Sequence, residues 1–217
     1  METLRGIADL RDTILRLGIR HVEIVLIAVA ISTVLGAALG IVVSRYRGAG
    51  RAVVALANVG QAVPSLAILG LVIPFLGIGP TPTVFALVLR GMLPILSNTF
   101  AGLVTVDHAT IEAGRGMGMR RWQVLAMIEF PLAFPIIMAG IRSATIVSIS
   151  LATIAALIGA GGLGDLIYQG LAMIDVTRLL AGSIPVALLA VAADGLLGWA
   201  ERAAAARAAG RSVRLAA

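Results

Sequence analysis

Five stretches of this chain are long and apolar enough to cross a lipid bilayer, and that leaves few folds open to it. They run over Val22–Ser44, Val53–Leu76, Thr83–Val104, Ala133–Gly159 and Leu179–Ala200. A helix needs about 20 apolar residues to span the hydrocarbon. In lipid each backbone N–H and C=O must find its partner within the protein, so only helices and closed barrels cross. Barrel strands alternate apolar and polar positions, whereas these runs are continuous. The expected class is all-α and multi-pass, with five membrane-spanning helices. A sixth crossing within Gly161–Ala172 would change the parity, but that stretch is short and glycine-rich.

The remaining composition agrees. Only 13% of the 217 residues are charged and 59% are hydrophobic, with a mean hydropathy of +1.03. Soluble domains carry about 25% charged residues, so this chain lacks the polar surface to coat a water-soluble globule. There is no cysteine, which excludes disulfides and thiol chemistry. His21 and His108 share no ligand spacing, so no metal site is expected. All 17 basic residues are arginines, and they flank the apolar runs. That placement points to a membrane and not to nucleic acid. Met1–Arg20 is polar, without an apolar core, so the first span should serve as an uncleaved anchor.

Arginine placement orients the spans. Arg45, Arg47 and Arg51 follow the first, Arg115, Arg120 and Arg121 follow the third, and Arg202, Arg207, Arg211 and Arg214 follow the fifth. With five spans all three groups fall on the cytoplasmic side. Arg5, Arg11, Arg16 and Arg20 would then lie outside. The expected organisation is a leader over 1–20, lying along the interface, a membrane domain over 21–201 and a basic tail over 202–217. Gly36 and Gly40 form a small-xxx-small pair of the kind that lets helices approach closely. Glycine is common in membrane helices generally, so this pair by itself carries little. Pro64, Pro74, Pro94 and Pro185 predict kinks within spans.

The connection between the third and fourth spans is polar and basic. Asp107 is placed to cap a short helix reaching about Arg115. Gly114, Gly116 and Gly118 should break it. A second piece from about Arg120 would present Trp122, Leu125, Ala126 and Glu129 near one face and end at Pro131. Such an elbow suits docking into a groove on another protein, and equally suits rest on a membrane surface. The residues carry more than this local reading. Glu112, Ala113, Gly118, Ile128 and Pro131 stand at the spacing of the coupling loop of ATP-driven (ABC) importer permeases, which the segment resembles. Gly114 replaces a usual alanine and Phe130 a usual leucine. Gln61–Gly70, Leu93–Thr99 and Ala155–Asp165 are further similar to segments of quaternary-amine (osmoprotectant) importers. The last is shared with methionine-type importers.

The resemblance implies a type I ABC importer transmembrane domain in a bacterial inner membrane. It implies that Glu112, Ala113, Gly114, Gly118, Arg120, Arg121, Trp122, Ile128 and Pro131 form the element docking on a separate ATPase. The chain has no lysine and no phosphate-binding G-xxxx-GK-[ST] sequence, so ATP should be bound by that partner and no cofactor by this chain. An extracytoplasmic binding protein, a second permease subunit and membrane lipid are the other expected partners. Aromatic cages hold quaternary ammonium groups. With 4% aromatic residues, selective capture is expected on the binding protein, and no enzymatic activity here. The alternatives are a permease for another small solute, such as an amino acid, and a self-sufficient secondary transporter.

Three charges fall within spans. Arg142 lies about 16 Å beyond Pro131 and Asp194 about 10 Å from Glu201 at 1.5 Å per residue. Both enter from the same side, so an Arg142–Asp194 pair is within reach. Arg90 has no evident partner and is expected against another helix or subunit.

Overall fold

A computed structural model describes residues 2–216, with side chains described except at positions 2, 4, 47, 49 and from 207 onward. The chain is helical nearly throughout. The helices are α1 (Glu2–Asp9), α2 (Arg11–Ser44), α3 (Arg47–Gln61), α4 (Ser65–Leu76), α5 (Pro80–Thr105), α6 (His108–Gly116), α7 (Arg121–Val124), α8 (Phe130–Ile154), α9 (Gly164–Met173) and α10 (Val176–Ala216). One π-helical turn, Leu125–Glu129, joins α7 to α8, and a 3₁₀ turn, Ala155–Ile158, follows α8. Among the described residues four helical segments are long and apolar enough to cross a membrane, or five when the α3–α4 pair is taken as one broken span.

In that pair the kink expected at Pro64 is a full break of the second span. The run Val53–Leu76 is two helices meeting at 94°. Pro64 has φ −57° and ψ 133°, outside helical geometry. It has no N–H to donate, and its ring disfavours helical backbone in the residue before it. Hydropathy therefore reads through the break while the backbone does not. The sixth crossing is also corrected. The stretch after Gly161 forms α9, ten residues long or about 15 Å, too short to span. Pro74, Pro94 and Pro185 lie inside helices that continue past them.

The leader is not one interfacial piece. Arg11–Arg20 are the first turns of α2, whose 34 residues reach about 51 Å, beyond the bilayer core. Of the arginines that conflicted with the orientation rule, Arg11, Arg16 and Arg20 stand on this N-terminal extension and Arg5 on α1. Only α1 is separate, and it folds onto the start of α10, where Gly6 meets Thr177. The expected tail from 202 continues α10 as helix to Ala216.

The bundle is built around α5, with α2 on one side and α8 on another. Lipid tails are as apolar as leucine, so close packing must replace the hydrophobic drive between helices. Ser32, Gly36 and Gly40, each four residues apart, form that contact on α2 and are buried. A methyl on Gly36 would stand 2.8 Å from the Met92 carbonyl oxygen and 2.9 Å from Ile95 Cβ. One on Gly40 would stand 2.6 Å from Thr99 Cβ. The glycine pair thus sets the α2–α5 distance and carries more than its sequence signal suggested. Toward the outer face, Ile24, Ala28, Leu69, Val72, Leu87 and Leu151 form the core that seats α4. Beyond α8, the Ala155–Asp165 motif turns the chain back through Gly159, Gly161 and Gly162, at φ 77°, 79° and 93°.

Gly36→Ala and Gly40→Ala should each destabilise the bundle by about 1–3 kcal/mol through overpacking. Gly70→Ala, with open space at its Cβ position, should be neutral or stabilising by about 0.5–1 kcal/mol. Thermal unfolding midpoints in detergent check the contrast.

Candidate functional site

The segment after α5 forms a two-sided elbow. Val106 is extended at ψ 131°, and Asp107 Oδ2 then accepts from the Thr110 N–H at 3.3 Å and from its hydroxyl at 3.2 Å, capping α6. The helix runs through Gly114 to Gly116, so neither glycine breaks it. The break is Gly118, at φ 83°. The Met119 N–H donates to the Gly114 carbonyl at 3.2 Å and the Gly118 N–H to the Arg115 carbonyl at 2.9 Å, a Schellman termination that requires the left-handed residue. Arg120 is extended, and its N–H donates to Gln123 Oε1 at 2.7 Å, starting α7.

Pro131 does not end this second piece. It sits in the first turn of α8, and the helix passes into the span through the π turn. There the Phe130 N–H donates to the Leu125 carbonyl, five residues back. A proline ring collides with the carbonyl four residues before it in an α-helix, and the wider turn relieves that conflict. The turn also divides the face expected for this piece. Glu129 is buried, whereas Trp122 and Ala126 are exposed.

Burial separates the elbow's two sides. Ile111, Gly114, Val124, Ile128 and Glu129 face the helix ends and are buried. A methyl on Gly114 would stand 2.5 Å from Ile128 Cδ1. Where the resembled family usually has alanine, the Ile128 side chain fills the place here. Glu112, Ala113, Arg115, Gly118, Arg120, Arg121 and Trp122 are exposed. Glu112 Oε1 lies 3.4 Å from His108 Nδ1 along the helix. A cavity of about 470 Å³ separates the elbow from the helix ends, lined among others by Arg45, Arg115, Arg121, Trp122 and Glu129.

Two charge clusters brace this side of the bundle. Arg45, at the end of α2, donates from Nη2 to Glu129 Oε2 at 2.7 Å and from Nη1 to Oε1 at 3.2 Å. A bidentate pair of this kind combines strength with fixed geometry, and it ties the end of α2 to the root of the elbow. Sequence reasoning missed it because 84 positions separate the partners. The available signal was a lone acid at the entrance of a span, on the side where the arginines gather. In the second cluster Arg142 donates to Asp194 from Nε at 2.7 Å and from Nη2 at 2.9 Å. Its Nη1 donates to Glu201 Oε2 at 3.1 Å. Gly198 lies between the two acids on α10, and its Cβ position is 3.2 Å from the guanidinium carbon. Glu201 was not anticipated, because it stands just past the expected end of the span.

Membrane-crossing helices braced at one end by ion pairs, with an exposed elbow beyond the brace, define a multi-pass helical membrane protein. The chain belongs to the binding-protein-dependent transport system inner membrane component family, which matches residues 12–205. It is 41% identical over 185 residues to the glycine betaine/carnitine/choline transport system permease protein OpuCD of Bacillus subtilis (strain 168), covering 85% of this chain and 81% of the relative. It is 40% identical to the carnitine transport permease protein OpuCD of Listeria monocytogenes serotype 1/2a (strain 10403S), covering 93% of each. It is 41% identical to the osmoprotectant import permease protein OsmY of Salmonella typhimurium (strain LT2), covering 86% and 80%. Among solved structures, the inward-facing MetNI methionine ABC transporter superposes with a TM-score of 0.78 at 21% identity, covering 88% of this chain and 96% of that one. At that identity the likeness shows the fold, that of a type I ABC importer permease. The protein is therefore an inner-membrane permease component and not an enzyme.

Arg45→Ala leaves the buried Glu129 carboxylate without its partner and should destabilise the protein by about 1.5–3 kcal/mol, read as a lower unfolding midpoint in detergent. Arg142→Asp and Asp194→Arg should each lower transport by the assembled importer. The double variant should recover part of the loss, and no recovery at all would argue against a functional pair.

Proposed function

We propose that this chain, with a second permease subunit, forms the translocation path of an ATP-driven importer for quaternary-amine osmoprotectants of the glycine betaine, carnitine or choline type. The α6–α7 elbow docks on a separate ATPase subunit, which binds the ATP. An extracytoplasmic binding protein delivers the solute. The observation that carries the substrate class is the recurrence of these amines in the names of relatives 40–41% identical over most of the chain, with osmoprotectant import in the name of a third.

The elbow's form supports the coupling role. Its two pieces pack on each other, Gly114 against Ile128 and Val124, while Trp122 and Met117, 63% and 71% exposed, lie among the exposed Arg115, Arg120 and Arg121. An exposed apolar anchor ringed by arginines is the composition that dominates binding energy at protein interfaces. The direct helical path from Trp122 through the π turn into α8 lets movement of the ATPases reach a span. Closure and opening of the ATPases then alternate the path between the two sides of the membrane.

Proteoliposomes holding the permease, its ATPase and its binding protein should show ATP-dependent uptake of labelled glycine betaine, carnitine or choline. Uptake by the permease alone would overturn the ATP-driven reading. Trp122→Ala with Arg121→Ala should reduce ATPase co-purification about tenfold, equivalent to about 1.4 kcal/mol. Helix content and unfolding midpoint should stay unchanged.

A further inference from the structure

The break between α3 and α4 brings two separated motifs into one polar patch inside the membrane. Arg90 lies ten residues into α5, about 15 Å from its outer end and near the middle of a hydrocarbon layer about 30 Å thick. Its Nη1 donates to the Gly60 carbonyl in the last turn of α3 at 3.2 Å and to the Val63 carbonyl just beyond that helix at 3.4 Å. Beside it, Asn58 Oδ1 accepts from Gln61 Nε2 at 3.1 Å and from Ser97 Oγ at 3.2 Å. Asn58 is exposed, and Gln61, Arg90 and Ser97 are half-buried. The patch therefore faces away from the subunit's own core. An intramembrane arginine with amides turned toward lipid is strongly unfavourable, and such groups instead face a water-filled cavity or a protein neighbour.

The patch carries one full charge among neutral polar groups. The Gly60 and Val63 carbonyls at the break are taken by Arg90, and Gly60 also accepts from the Val63 N–H, so the break holds the guanidinium in place. Arg90 contributes a full positive charge. None of the ion pairs among the described residues includes it, and only its Nη1 donates among the described hydrogen bonds. Its other nitrogens can meet a carboxylate side-on. A guanidinium anchored on one side, with unused donors on the other, matches a small solute that carries a carboxylate.

We propose that Arg90, held by the Gly60 and Val63 carbonyls near the Asn58–Gln61–Ser97 amide and hydroxyl groups, forms a subsite in the translocation path for the carboxylate of carboxylated quaternary amines. The inference rests on the substrate class proposed above and adds a rule within it. Arg90 favours glycine betaine and carnitine, which carry a carboxylate, over choline, which does not.

Uptake of labelled glycine betaine, carnitine and choline by the complete importer in proteoliposomes tests this. Arg90→Gln should lower the glycine betaine-to-choline uptake ratio about tenfold or more, the worth of a charge-assisted contact. Arg90→Lys should keep the ratio within about threefold of wild type, on the same scale. Gln61→Glu, which leaves Arg90 in place, should shift the ratio the same way, because its carboxylate occupies the guanidinium and attracts choline. This variant decides the question where Arg90→Gln fails to assemble. Equal loss of all three solutes in Arg90→Gln, or an unchanged ratio in Gln61→Glu, overturns the subsite and leaves Arg90 as a cap on the bend. Absence of wild-type uptake of every one of these amines overturns the substrate class and the subsite together.

Discussion

Contact between α2 and α5 at backbone distance is the condition on which the other features rest. Within lipid, helices gain nothing from hiding apolar side chains from one another, because the surrounding tails are equally apolar. Association then depends on dispersion between closely fitted surfaces and on the few polar groups that meet. Ser32, Gly36 and Gly40 bring α2 onto α5, and on the opposite side Gly140 brings α8 against the Pro94 carbonyl. With α5 held on two sides, its third side is left for α3, and its lower end is left to launch the elbow. Bulk added along the small-residue seam would displace both the polar patch at Arg90 and the root of α6.

The electrostatic pattern follows from that scaffold. The intramembrane arginines have different local solutions. Arg142 is seated on Gly198 between two acids, joining α8 to α10. Arg90 rests on carbonyls at a helix break. The first arrangement is closed and braces the bundle. The second leaves donors unused and faces outward, which suits a path and not a brace.

Much of this architecture was legible in the residues, and the failures have physical causes. Hydropathy marks how long an apolar run is and says nothing of its direction, so Val53–Leu76 counted as one span, and Pro64 marked a kink without its 94° extent. The elbow's start and stop were local chemistry, in Asp107 and Gly118, and so could be read. Its exit could not, because a proline normally signals an end and only the three-dimensional winding shows the π turn that carries the helix past Pro131. The Arg142–Asp194 contact was within reach of helical rise arithmetic along two spans. The Arg45–Glu129 pair was not, since it depends on how the end of α2 is placed against the start of α8.

The wide turn at Leu125–Glu129 also sets a phase. A π turn accommodates one residue more than an α-helix would over the same rise, so everything before it is rotated by about 100° around the axis relative to everything after it. Trp122 and Arg121 thus point where they do because the winding is offset at that one place. If the turn rewound to a regular α-helix, the elbow would swing by roughly a quarter revolution against a stationary span. The winding at this joint therefore fixes the direction in which the exposed face of the elbow points, about an axis that is α8 itself.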